Sequence, residues 1–151
     1  MANHVRQQIR EAAAALLTGL NTTGPRVYQS RIKALADNEL PCLVVLTNSE
    51  TVISELIGEN PLQTRAIDLV IIAKAKQTAD LDDKLDTIIK EVEMALNATI
   101  EANTLVGLVD GLLLQSVEIE LNGDGEKPVG EATMTFNATY RTRAAAPDVS
   151  I

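Results

Sequence analysis

The chain of 151 residues has no tryptophan, one phenylalanine and two tyrosines. Proteins that hold single-stranded nucleic acid stack its bases on aromatic side chains, and there is almost nothing here to build such a platform. Basic residues are also in short supply. Thirteen Lys and Arg stand against 21 Asp and Glu, leaving a net charge of −8. Broad phosphate binding requires a basic face, so only a local basic strip is compatible with this balance. The single cysteine, Cys42, leaves no partner for an intrachain disulfide. Its setting, PCLVVL, reads as that of a small core hydrophobe. The single histidine, His4, sits close to the N-terminus and reads as a solvated side chain, so no Cys–His nucleophile pair is indicated. The opening segment MANHVRQQIREAAAALLTGL spreads charges among its apolar residues and reads as neither signal peptide nor membrane span. The protein is therefore expected to be made in a cytosol, and the N-x-T sequons at Asn21, Asn97 and Asn137 read as coincidences.

Catalytic signatures are missing as well. There is no Gly-rich phosphate loop, no GxSxG elbow and no HExxH pair in the sequence. The acidic run DLDDKLD reads as a solvated helix start rather than a metal cluster. NGDGE lacks the ligand spacing and closing glutamate of a calcium loop, and a hairpin turn accounts for it. The expectation is a protein without enzymatic activity, with no catalytic, cofactor-binding or metal-binding residues, that works through its surfaces.

What is present is pattern. With 46% apolar residues, a chain of this length can bury a core of its own. Val5, Ile9, Ala13, Leu16, Leu17 and Leu20 recur at helical spacing and predict a helix over 3–20. NTTGP then ends it. Strands are predicted at 26–32 and 41–47, with a short third one at 52–57. QTRAIDLVIIAKAK (63–76) is apolar on both faces from Leu69 to Ala73, as in a strand covered on both sides, and is placed centrally. Thr78 or Asp80 is positioned to cap a second helix whose apolar stripe runs from Leu81 to Ile100. Two strands follow the loop holding Gly107 and Gly111. One alternates Val117, Ile119 and Leu121 with Glu118 and Glu120; the other alternates Ala132, Met134, Phe136, Ala138 and Tyr140 with polar residues. Each is expected to have one buried and one wet face, joined by a long hairpin over 122–128. Residues 143–151 read as a loose tail. The result is a single α+β domain over 3–142, with a mixed, mostly antiparallel sheet of about five strands and two main helices packed on it. A charged strand at Arg26–Lys33 is expected beside an acidic helix, and opposite-sign patches on one molecule favour head-to-tail assembly into rings.

The layout resembles the tail terminator (tail completion, minor tail protein U-like) proteins of long-tailed bacteriophages. The likeness is carried by the helix VRQQIREAAAALLTGL and by RVYQSRIKALADNELPCLVVLTNSE. In that family a V-Y-x-S-R-like strand, a P-L-x-x-x-E-L-P-like stretch and an apolar strand closing on a polar turn with glutamate recur in this order. The helix LDDKLDTIIKEVEMAL, the loop TLVGLVDGLLLQSVEIEL and the strand ATMTFNATYRT continue it, so the likeness spans roughly 3–142. Lys33-Ala34-Leu35 stands where relatives frequently carry a proline. The resemblance implies a structural virion protein, assembled in the host cytoplasm, that forms a hexameric ring. Such a ring caps the tail tube, stops its polymerisation and joins the tail to the head-side connector. Implied partners are further copies of the chain, the tail tube protein, the connector or stopper protein and, in contractile tails, the sheath. DNA passes through the lumen without specific binding, and no membrane or cofactor is involved.

On this reading Arg26, Tyr28, Arg31 and Lys33 form a candidate strip facing another subunit or the tube. The plainer alternative packs Tyr28 in the core and leaves the basic side chains in solvent. Thr133, Thr135, Asn137, Thr139 and Arg141 form a polar strand face that meets a neighbour or simply water. Gly123, Asp124, Gly125, Glu126 and Lys127, and the tail Ala144–Ile151, are candidates for ordering on docking. A different class of function, a non-enzymatic adaptor binding one protein partner as a monomer or dimer, fits the same absences. A small enzyme with an unrecognised carboxylate site is the third possibility.

Overall fold

The both-sided apolar run forms the middle of the sheet. In a computed structural model that describes residues 2–29, 39–55, 58–76, 79–122 and 129–151, Leu62–Lys76 is the third strand, β3, flanked by strands on both sides. The full set is α1 (Val5–Leu17), β1 (Val27–Gln29), β2 (Cys42–Ser54), β3, α2 (Leu81–Asn97), α3 (Ile100–Asn103), β4 (Leu112–Asn122) and β5 (Val129–Arg143). The five strands lie in the order β1-β2-β3-β5-β4. β1 runs parallel to β2, and every other neighbouring pair is antiparallel. The fold is thus α+β with a mixed sheet, as the pattern predicts.

Alternation sorts the side chains into two layers. Leu43 and Val45 of β2, Ile67, Leu69, Ile71, Ala73 and Ala75 of β3, and Ala132, Met134, Phe136, Ala138 and Tyr140 of β5 point to one face. There they join Val5, Ile9, Ala13 and Leu17 of α1 and Leu85, Ile88, Val92 and Leu96 of α2 in a single core. α1 lies over β1 and β2, and α2 lies over β3 and β5. The opposite face carries neither long helix, yet Cys42, Val44 and Val70 are buried on it. Cys42 is thus the buried apolar residue its setting suggests.

Several elements depart from the sequence pattern. The strand expected at 52–57 is not separate, because β2 continues to Ser54 through a bulge. Thr47 opposes Leu69 and Glu50 opposes Ile67, so β2 spends one extra residue there and its polar stretch reads as a turn although it stays in the sheet. β1 spans Val27–Gln29, with Arg26 just before it, and residues 30–32 of the predicted strand lie outside the described residues. α2 ends at Asn97, and Ile100 is exposed at the start of α3 rather than continuing the buried stripe. Asp80 occupies the N-cap position of α2 but has a left-handed backbone (φ 55°) and makes no side-chain capping bond. Thr78 lies outside the described residues.

The C-terminal residues correct a further expectation, because they are docked instead of loose. Val5 N donates to Pro147 O, Ala144 N to Pro61 O, and Ile151 N to Arg141 O. Ser150 Oγ donates to Leu108 O, and Gln8 Nε2 to Asp148 O. An aperiodic segment can be fixed by backbone hydrogen bonds to distant strands, and periodicity carries no trace of such bonds.

The largest correction concerns β4. Val117, Ile119 and Leu121 point to the helix side, opposite Met134, Ala132 and Gly130, but they are 40%, 44% and 55% exposed. β4 is the last strand of the sheet, and the helices lie over β1, β2, β3 and β5. Its apolar face is therefore left uncovered within the chain.

The first turn of α2 docks against β5 at Gly130. A Cβ there would come within 2.8 Å of Leu85 Cδ1, 3.0 Å of Leu121 Cδ2 and 3.1 Å of Leu81 Cδ2. Gly130→Val should overpack this contact and lower stability by about 2 kcal/mol, read as a shift in the denaturant midpoint with an unchanged slope.

Candidate functional site

The bulge in β2 has an electrostatic consequence. Without its extra residue, strict alternation from Thr47 would turn Glu50 away from the helices. With it, Glu50 enters the helix side, where its side chain is only 4% exposed. Arg6 Nη1 from α1 meets Glu50 Oε2 at 2.8 Å, and Arg65 Nη1 from β3 lies 3.6 Å from the same oxygen. The Tyr140 hydroxyl of β5 donates a short hydrogen bond to Glu50 Oε1. Arg65 is held in turn by Thr142 Oγ1 (3.1 Å) and Gln63 Oε1 (2.9 Å). One carboxylate therefore ties α1, β2, β3 and β5 together. Burial, followed by the hydrogen bond to Glu50 and its negative charge, pushes the Tyr140 phenol well above its ordinary value, so it remains a donor. His4 caps α1 by accepting the Arg6 N–H at Nδ1 (3.0 Å). This corrects its reading as a simply solvated residue. Burial, and then the Arg6 and Arg65 charges, lower its imidazole below 6.5.

Two arginines thus meet one carboxylate in this cluster, and Arg10 of α1 adds a further positive charge beside β1. Arg10 reaches from α1 toward Gln29 Oε1 of β1 and Thr47 Oγ1 of β2, both at 3.4 Å. Arg6 keeps 43% of its side chain exposed. The helix beside β1 is thus α1 with its arginines, which corrects the expectation of an acidic helix there. The acidic helix is α2, toward the other end of the sheet. Its Glu91 accepts from Thr22 N at 2.8 Å and from the Thr22 hydroxyl, which fixes the flank that faces the α1 side. At 100° per residue, Asp82, Asp86 and Glu93 fall on the other flank, above β4. On the face of the sheet away from the helices, Glu118 and Glu120 of β4 add to the same sign.

Among the described residues, no strand covers either end of the sheet. β1 covers β2 only at Leu43–Val45, which leaves the outer edge of β2 from Leu46 to Ser54 unpaired among the described strands. Val52 and Ile53 there are 43% and 61% exposed. At the opposite end β4 exposes Leu113 and Leu114 in addition to Val117, Ile119 and Leu121. Unpaired strand edges with aliphatic side chains on both faces are the surfaces on which sheets extend.

Of the predicted strip, Arg26 and Tyr28 lie within the described residues. Arg26 donates from Nε to Pro41 O (2.7 Å) and from Nη2 to Thr22 O (3.2 Å), so its guanidinium clamps the chain on either side of β1. Tyr28 is partly buried opposite Val44. Arg31 and Lys33 lie outside the described residues, as do Gly123, Asp124, Gly125, Glu126 and Lys127. Thr133, Thr135, Asn137 and Thr139 are partly buried and Arg141 exposed. They sit on β5 inside the sheet, roughly 14 Å from β1 at ordinary strand spacing. Asn137 and Thr139 line a hollow of about 430 Å³ with Asn103, Asp110, Gly111 and Leu113 at the start of β4. Among the described residues no three His, Cys, Asp or Glu side chains converge as metal ligands, and no helix is long and apolar enough to cross a membrane.

Sequence reasoning passed over Arg6, Arg10, Glu50, Arg65 and Tyr140, and it expected Val117, Ile119 and Leu121 of β4 to be buried, where they face the helix side but are exposed. A signal existed for the helix: Arg6 and Arg10, spaced i and i+4, share one flank. The run Leu112–Leu114, too apolar for a half-wet strand, was the corresponding signal for β4.

Glu50→Ala should cost about 3 kcal/mol, because it leaves Arg65 buried without its counter-charge. Tyr140→Phe should cost about 1 kcal/mol, the net value of one hydrogen bond; both are measured by urea denaturation. His4 also predicts a pH effect. The folded chain resists a proton that the unfolded chain accepts near pH 6.5, so the stability His4 contributes is complete above that pH and declines as pH falls through it. Between pH 7.5 and 5.5 the wild type should therefore lose more stability than His4→Asn, which keeps a capping acceptor but cannot titrate.

Compared with known proteins, the chain matches no family model and no curated protein.

Proposed function

We propose that this chain is a structural ring protein of the tail-terminator type. In this role, copies of the chain close head to tail on top of a phage tail tube, end its growth and offer a joining surface to the head-side connector. The observation that supports the reading best is that, among the described residues, no strand pairs with the far edge of β2 or with β4, with arginines of α1 beside the first and acidic residues of α2 toward the second. Two different, complementary edges make a heterologous contact, and a heterologous contact closes into a ring when its rotation divides a full turn. The sequence resemblance supplies the hexameric number and the partners: tail tube, connector and, where present, sheath. An overall charge of −8 suits a lumen through which DNA slides without sticking, since like charges repel. No catalytic step is assigned to any residue.

The adaptor reading also needs an exposed edge, but it leaves the second edge without a use. Native mass spectrometry and negative-stain images of the purified protein separate the two. Rings with an open centre, six-fold in projection, are expected; monomers or closed two-fold dimers at every concentration would refute the ring.

A further inference from the structure

We infer that β4 and the acidic flank of α2 in one copy dock against the β1–β2 edge and the basic flank of α1 in the next copy, with Glu93 facing Arg10. The inference rests on the ring reading above and specifies its contact. It begins from what each edge lacks. Among the described residues β4 has an uncovered row of backbone groups, and five of its aliphatic side chains are exposed, a long apolar edge of the kind on which another strand pairs. Among the described residues no strand pairs with the outer edge of β2 past Val45 either, and that edge also exposes an aliphatic on each face: Val52 beside Arg65 on the helix side, and Ile53 beside Thr64 on the other.

The occupant of the β4 edge is identified by charge and level. Docking β4 against another β4 would bring Asp82, Asp86 and Glu93 of one copy against the same residues of its mate, and like charges there oppose association. The β1–β2 edge presents the opposite sign through Arg6 and Arg10. The heights along the strands agree as well. Leu113 opposes Asn137, and Asn137 opposes Asp68. The β2 residues alongside Asp68 are the bulge residues Asn48 and Ser49. Rotation about an axis parallel to the strands keeps every residue at its own height. It therefore brings Leu113 of one copy level with Ser49 of the next.

The helices follow the same rows. Asn103 Nδ2 donates to both Leu96 O and Leu112 O at 3.2 Å, tying the C-terminal turn of α2 to the start of β4. Glu93 lies one turn earlier on the outer flank. On α1, Arg10 stands at Thr47, which shares its row with Leu69, Phe136 and Leu114. Glu93 and Arg10 thus occupy neighbouring heights at opposite ends of the sheet. β2 and β4 run in opposite directions, because β2–β3, β3–β5 and β5–β4 are all antiparallel. The contact between copies therefore continues the sheet in antiparallel fashion, with all helices on one side.

Cysteine cross-linking tests the contact directly. In a Cys42→Ala background, Leu113→Cys and Ser49→Cys are prepared as separate variants, mixed, and treated with a short bismaleimide. A cross-linked product at least tenfold more abundant in the mixture than in either variant alone is expected, and a chain carrying both cysteines should give a ladder of covalent oligomers. Arg10→Glu and Glu93→Lys should each weaken assembly at least tenfold, and the double variant should recover it. Rings without the Leu113–Ser49 product, or Leu113→Cys linking to itself, would overturn this contact and leave the ring reading standing. A wild-type protein that native mass spectrometry finds monomeric up to its solubility limit, with no cross-link, would overturn both.

Discussion

The architecture hangs on one carboxylate. Glu50 is the point at which α1, β2, β3 and β5 share a charge, through Arg6, Arg65 and the Tyr140 hydroxyl. A buried carboxylate is tolerable only if its charge is matched and its oxygens are bonded. The bulge, the start of α1 and the last turns of two strands must therefore be in register at the same time. His4 caps the helix one turn from that point, and the C-terminal residues bond back to Val5 and Arg141 beside it. The upper end of the sheet is consequently fixed by polar geometry, while the rest of the molecule is held by a continuous aliphatic core.

That division shapes the surface. The polar cluster holds Arg6 and Arg65 against Glu50, and Arg10 of α1 places a further positive charge beside β1 and β2. The acidic majority remains elsewhere, notably along α2 and β4. Two helices cannot cover five strands at ordinary helix spacing, so one strand lies beyond their reach. That strand is β4, whose side chains are aliphatic. Among the described residues the sheet thus has an apolar edge at β4 and a partly unpaired edge at β2, with acidic side chains of α2 toward the first and arginines of α1 beside the second.

Much of this was legible from residues alone. Helical periodicity located α1 and α2, and the run Leu69–Ala73 marked the central strand because only a strand flanked on both sides is apolar on both faces. Alternation assigned the buried face of β5 correctly. β4 shows the limit of such reasoning. Val117, Ile119 and Leu121 alternate in the same manner as the β5 residues, yet alternation states only which side chains share a face, not whether anything covers it. The tail was misread for a related reason: bonds such as Val5 N to Pro147 O and Gln8 Nε2 to Asp148 O join segments some 140 positions apart and leave no local pattern. The His4 cap is a single local bond to Arg6 N that periodicity does not register.

The sequence by itself determined the class of fold and most of the core, because periodicity and residue type act locally and act repeatedly along the chain. Tertiary structure alone decided where charge and exposed apolar surface lie. Strand order places β4 at an end, and one extra residue in β2 turns Glu50 inward. α1 rather than α2 comes to rest beside β1. Each of these is a choice of neighbour between segments far apart in the chain, set by which packing satisfies the buried polar groups, and no short stretch of residues carries that information.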